Sequence, residues 1–132
     1  MKLGILGAGS IAGVMAKTVR LLNQNGHPEI ELYAVAARQA DRADAFARAN
    51  GVQRAYGGYE AMLADPAVDL VYIATPHSHH YGQIRMCVAY GKHVLCEKAF
   101  TVNARQAEVA LREARDRGLL LSLIHISEPT RH

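Results

Sequence analysis

Short apolar runs alternate with stretches of helical period along residues 2–118, and the connections between them are short. That alternation is the signature of right-handed βαβ units, and it confines the chain to an α/β fold with a parallel sheet. Residues 2–6, 30–37, 53–56, 70–74 and 93–96 predict strands. Ile11, Val14, Met15, Val19 and Leu22 recur on one helical face, and Gly26-His27-Pro28 closes that helix. Residues 41–50 predict a second helix with Gly51 as its left-handed cap. Residues 59–64 predict one or two turns, stopped by Asp65-Pro66. A further helix runs to about Tyr90, with Tyr81, Ile84 and Val88 on one face and Gly91 beyond it. Asn103, with Gln106 three positions later, reads as a capping-box-like start to a last helix ending at Arg117. Neither a repeat nor a linker interrupts this stretch, so a single domain is expected over residues 1–120.

Composition narrows the class. The 132 residues carry a formal net charge of +3, and 50% of them are apolar, enough for a self-sufficient core. The Lys and Arg residues are scattered, which argues against a nucleic-acid-binding stripe or a polybasic membrane anchor. No apolar run approaches the ~20 residues of a membrane span. Met1 leads through a single Lys into a strand, so no secretory signal peptide is expected. Cys87 and Cys96 form neither a zinc pair nor a C-x-x-C motif, and a reducing, cytoplasmic setting fits best.

The text changes character after Gly118. Residues 121–131 look like the translation of a transposon-end adapter used in preparing sequencing libraries, which makes residues 121–132 a non-native tail and the chain a truncated front half. The alternative is a natural strand over 119–126 with a short polar end. Either way the stretch is apolar enough to pair as an edge strand. His125 and His132 are given no role.

Gly7-Ala8-Gly9-Ser10-Ile11-Ala12 lies between the first strand and the first helix. In this G-x-G-x-x-A pattern Gly7 permits the tight turn, Gly9 lets the backbone approach a pyrophosphate, and Ala12 lets the helix pack on the sheet. The helix N-terminus then offers unpaired N–H groups to the anion. The competing reading is steric: a tight strand-to-helix turn can need glycines for its own sake. The second strand ends in Ala36-Ala37-Arg38, without the carboxylate that binds the adenosine ribose of NAD. Arg38 suits a 2′-phosphate and favours NADP, NAD remaining possible; alone it is also an ordinary loop arginine. Asp41 and Asp44 beyond it are expected to cap the next helix and face solvent.

Parallel sheets bind ligands beyond the carboxyl ends of their strands. Residues 74–80 and 96–100 lie there. His77, His79 and His80 could suggest a metal, but no Asp, Glu or Cys lies close in sequence, so a place at the cofactor and substrate edge is expected and no metal. Glu97-Lys98 follows an apolar strand directly, and such charges must face a cleft or each other. A lysine beside a nicotinamide can hold a substrate hydroxyl and stabilise its alkoxide. A strand-end ion pair would look the same.

Taken together, the glycine loop, Thr75-Pro76-x-x-x-His80, the run Gly91-Lys92-His93-Val94-Leu95-Cys96-Glu97-Lys98 and Asn103 resemble the Gfo/Idh/MocA oxidoreductases. The resemblance covers residues 2–120, the family's N-terminal domain. Ala99 replaces the usual proline after Glu-Lys, as in the branch near dimeric dihydrodiol dehydrogenases, and His77 stands where many members have Asn. The likeness implies a Rossmann-type doubly wound sheet. It also implies a second domain, missing here, that supplies substrate contacts and the dimer interface. Thr75, Pro76, His77 and His80 would line the cofactor, Glu97 its nicotinamide ribose, and Lys98 would reach cofactor and substrate as the catalytic residue. The reaction implied is hydride transfer between NAD(P) and a sugar, cyclitol or diol carbon. A non-catalytic NAD(P)-sensing module is the alternative, against which Lys98 speaks. A methyltransferase is the third reading, and the carboxylate-free strand tip weighs against it.

Overall fold

The computed structural model describes residues 1–97 and 104–124. Its strands are β1 (Lys2–Leu6), β2 (Glu31–Ala36), β3 (Arg54–Tyr56), β4 (Leu70–Ile73), β5 (His93–Glu97) and β6 (Leu121–Ile124). Its helices are α1 (Ser10–Gln24), α2 (Ala40–Asn50), α3 (Tyr59–Leu63), α4 (His80–Ala89) and α5 (Ala104–Asp116), with a 3₁₀ turn at His77–His79 leading into α4. The strands form one sheet in the order β3-β2-β1-β4-β5-β6, and every pairing is parallel. The winding reverses between β1 and β4. This is the doubly wound Rossmann arrangement, in which the reversal opens a crevice at the strands' carboxyl ends.

Both faces of the sheet are covered, which is why its strands read as apolar runs rather than alternating ones. On one face Leu3, Ile5, Val35 and Tyr72 pack with Ala12, Ala16 and Val19 of α1 and Phe46 of α2. On the other, Leu6, Val71 and Ile73 pack with Met62 of α3, Ile84 and Val88 of α4, and Ala110 and Ala114 of α5. Gly4 lies on this second face, where an added Cβ would come 2.9 Å from Met62 Sδ and 3.1 Å from Val68.

The register of β1 against β2 skips between Leu3 and Gly4, leaving Tyr33 as an extra residue on β2. Tyr33 thereby shares the second face with its neighbour Ala34, and its hydroxyl donates to Asp65 Oδ2 at 2.9 Å. Tyr56 donates to the same oxygen at 2.6 Å, and the Ala67 N–H donates to Asp65 Oδ1 at 2.9 Å. The Tyr56 hydrogen bond, followed by that from Ala67, holds the Asp65 carboxyl below its usual range. Hydrogen bonding to Asp65, with burial, pushes Tyr56 up to about 12 and raises Tyr33 as well. Lys92 is buried at 6% exposure, and its ammonium donates to Asp65 O at 2.9 Å and to Val68 O at 2.7 Å.

Two expectations about the first half of the chain are corrected. Helix α1 does not bury the face of Ile11, Val14 and Leu22, which are 43%, 61% and 43% exposed. Of the expected set Val19 is buried and Met15 half-buried, and Ala12 and Ala16 complete the inward face. Alanines let the helix lie close on the sheet, and close approach outweighs the bulkier apolar set. Helix α2 begins at Ala40 with Gln39 at its N-cap position, so Asp41 sits inside the first turn rather than at the cap, and there its Oδ1 accepts the Arg42 N–H at 3.0 Å. Asp41 and Asp44 do face solvent, and Gly51 takes the left-handed conformation expected, at φ +70°. In α4 the buried residues are His80, Gln83, Ile84, Cys87 and Val88, with Tyr81 only half-buried. Strand β6 pairs with β5 along the edge, within the stretch expected to be foreign. The Asn103 cap lies outside the described residues. Among the described residues no helix is long and apolar enough to cross a membrane.

Candidate functional site

A cavity of about 640 Å³ opens at the reversal point, where β1, β2 and β4 end. Backbone hydrogen bonds pin those ends together: Gly7 N–H to Ala36 O at 2.8 Å and Ala74 N–H to Leu6 O at 2.8 Å. Gly7 to Ile11, the turn into α1, forms one wall. Its two glycines have different causes. Gly7 has φ +110°, and a Cβ there would stand 3.0 Å from Ala74 O and 3.3 Å from Thr75 Cγ2. That glycine is required by the fold. Gly9 has φ −92° and ψ −163°, extended backbone open to any residue. A Cβ added to it would meet nothing within 4 Å. The steric reading therefore accounts for Gly7 and not for Gly9, which faces the cavity.

Gly9 is also the N-cap of α1 and supplies no side-chain cap, and the first turn holds no acidic residue. The partial positive charge of the helix end is thus left uncompensated where Ser10 and Ile11 border the cavity. Ala12, third of the small residues in the motif, is fully buried against the sheet.

The second wall follows β2. Arg38 lines the cavity there, and so does Arg42, one turn along, which the sequence reading did not single out. Both are exposed. Among the described residues neither guanidinium has an ion-pair partner. Gln39 and the half-buried Tyr59 complete this end. Tyr59 is brought in by Gly57, whose hypothetical Cβ would lie 2.7 Å from Ala40 Cβ and 2.9 Å from Ala40 Cα. Only a glycine lets the turn before α3 rest directly on the first residue of α2.

The third wall is Ala74, Thr75, Pro76 and His79. Thr75 and Pro76 border the cavity directly. His80 does not line the cavity: it is 1% exposed and packed behind Thr75. Its Nε2 lies 2.7 Å from Thr75 O and its Nδ1 3.3 Å from Cys96 Sγ. The Thr75 hydroxyl donates to Gln83 Oε1. His79 and His80 are adjacent helical positions, so one faces the cavity and the other the core. Among the described residues no three His, Cys, Asp or Glu side chains gather as a metal site. The side chains of His77 and Glu97, and the whole of Lys98, lie outside what the structure describes. Cys87 is buried, and burial, reinforced by the neighbouring Cys96, pushes its thiol up to about 12.

A helix end without a cap, two exposed arginines and a half-buried ring border one cavity and offer it N–H donors and positive charge. The model of the "oxidoreductase family, NAD-binding Rossmann fold", Gfo/Idh/MocA, matches residues 1–125. The chain is 42% identical over 121 residues to trans-1,2-dihydrobenzene-1,2-diol dehydrogenase of Sus scrofa, covering 92% of this chain and 35% of that protein. It is 41% identical to D-xylose 1-dehydrogenase (NADP(+)) of Hypocrea jecorina, covering 92% and 33%. Among solved structures, the 3-ketoreductase KijD10 of Actinomadura kijaniata in complex with NADP superposes with a TM-score of 0.82 at 35% identity, covering 92% of this chain and 37% of that one. The chain thus spans about a third of the length of these relatives. With the family model matching residues 1–125 and the fold reproduced, this chain belongs to the Gfo/Idh/MocA oxidoreductases and is an NAD(P)-binding Rossmann domain.

Proposed function

We propose that this chain is the cofactor-holding part of an NADP-dependent enzyme that moves a hydride between the nicotinamide and a carbinol carbon of a sugar, cyclitol or diol. One observation carries the cofactor site: Gly9 has no conformational or packing reason to be glycine, yet it faces a cavity at an uncapped helix N-terminus. The N–H groups of Gly9, Ser10 and Ile11 hold the diphosphate there. Arg38 and Arg42 take the 2′-phosphate as a pair of forked donors, and Tyr59 borders the adenosine. Thr75, Pro76 and His77 border the nicotinamide half, with Glu97 on its ribose. The dehydrogenase names of the relatives, one of them specifying NADP(+), support this reading.

When bound, the nicotinamide supplies the hydride acceptor or donor. Lys98, one residue past β5, holds the substrate hydroxyl and stabilises the oxyanion that precedes hydride loss. On this reading the remaining substrate contacts and any self-association surface would come from segments matching the parts of the relatives that this chain does not span. We propose also that residues 121–132 are an adapter-derived tail. Sequencing the gene from unfragmented DNA should show different text beyond codon 120, and the same text would overturn that origin.

The cofactor reading is tested by titrating this chain with NADPH and NADH. With no tryptophan in the sequence, bound NADPH is followed by its own fluorescence. Tighter binding of NADPH is expected, by about tenfold for one charge-assisted phosphate contact. Equal affinities, or tighter NADH, would remove the 2′-phosphate assignment.

A further inference from the structure

We propose that Cys96 is a positioning residue for the cofactor cavity, acting through the tautomer of His80 on the Thr75 carbonyl. The inference deepens the cofactor site proposed above and rests on it. Thr75 O is a carbonyl and can only accept, so at 2.7 Å His80 Nε2 must carry the hydrogen. In the neutral ring Nδ1 is then the acceptor, and the group 3.3 Å away, Cys96 Sγ, is its S–H donor. All three residues are buried, at 0% for Cys96, 1% for His80 and 7% for Thr75. A ring in the other tautomer would set two lone pairs against each other at Thr75.

The chain of contacts crosses the sheet. Cys96 pairs in register with Ile73 at the ends of β5 and β4. His80 opens α4 and reaches back to the residue that follows β4. Thr75 is held a second time through its hydroxyl on Gln83. Thr75 lines the cavity, and its Cγ2 lies 3.3 Å from where a Gly7 Cβ would stand. A thiol on β5 is thereby connected to the turn that receives the diphosphate. One hydrogen-bond chain thus ties the end of β5 to the residue that follows β4.

The test compares Cys96→Ser, which keeps a donor, with Cys96→Val, which keeps bulk and loses it. Two readouts are taken on each: NADPH affinity by fluorescence, and the ¹⁵N spectrum of the His80 ring. The expected result is a sharp Nε2–H signature in the wild type and in Cys96→Ser, exchange-broadened in Cys96→Val, where Thr75 O still favours that tautomer but the S–H donor to Nδ1 is gone. NADPH affinity should stay within about threefold in the serine variant and fall about tenfold in the valine variant, the scale of one buried hydrogen bond. A general loss of packing would lower thermal stability in both variants without separating them by tautomer. Cys96→Val with an unchanged His80 spectrum, or with unchanged NADPH affinity, would overturn the proposal. A wild type that ignores NADPH would instead overturn the cofactor reading. The His80 spectra would then still decide whether Cys96 sets the tautomer.

Discussion

The two ends of the cavity are built on opposite plans. At the β2 end, Arg38, Gln39 and Arg42 stand exposed, and the guanidinium groups have no ion-pair partner among the described residues. At the β4 end, Thr75, His80, Gln83 and Cys96 are buried and bonded to one another. On the proposed reading the exposed groups recognise the ligand, because a charge satisfied within the protein has nothing left to offer. Groups that set the shape of the wall must be satisfied internally, because a buried polar atom without a partner costs stability. Stability and affinity should therefore respond to different residues at the two ends.

Gly7 joins both ends, and its replacement should have the largest effect. Gly7→Val forces a branched side chain into φ +110° beside Ala74 O, costing about 3 kcal/mol or more. Urea unfolding should show the loss, and NADPH fluorescence should show no binding. Thr75→Val comes next: it leaves Gln83 without the hydroxyl it accepts from, at about 1–3 kcal/mol. A midpoint unchanged in urea would place Thr75 with the recognition end. The double variant Arg38→Ala, Arg42→Ala should leave stability within about 0.5 kcal/mol of the wild type. It should weaken NADPH about tenfold or more and NADH hardly at all, and an equal loss for both cofactors would break the contrast.

The smallest effect tests the framework away from the cavity. Asp65 has a lowered carboxyl pKa because Tyr56, Ala67 and Tyr33 donate to it. Its contribution is fully present above the ordinary carboxylate value near pH ~4 and is lost as pH falls through the lowered folded value. Asp65→Asn should flatten the acid limb of the stability–pH curve and cost at most about 1 kcal/mol at pH 7. An unchanged acid limb would show that the two tyrosines do not depend on the charge.

Much of this was legible in the amino-acid text. Strands buried on both faces announce themselves as apolar runs, so β1, β2, β4 and β5 lie within a residue of their expected bounds. The glycine turn was found because its chemistry is local. What escaped depends on packing between distant segments. Arg42 and Tyr59 join the cavity because Gly57 rests on Ala40, and nothing in either stretch alone announces that contact. A basic residue one turn after Arg38 was the available signal. The inward face of α1 was misread because alanine contributes little to an apolar pattern yet decides how closely a helix approaches a sheet. His79 and His80 differ by one helical step, and only the sheet beneath them settles which turns inward.

Lys92 has a consequence for labelling chemistry. Its amine is held by two carbonyls beneath the surface, so an amine-selective acylating reagent should take the exposed Lys17 at once and reach Lys92 only when the turn between α3 and β4 lifts. The slow appearance of acyl-Lys92 would then time a local opening of the domain from a single native side chain, with no probe attached.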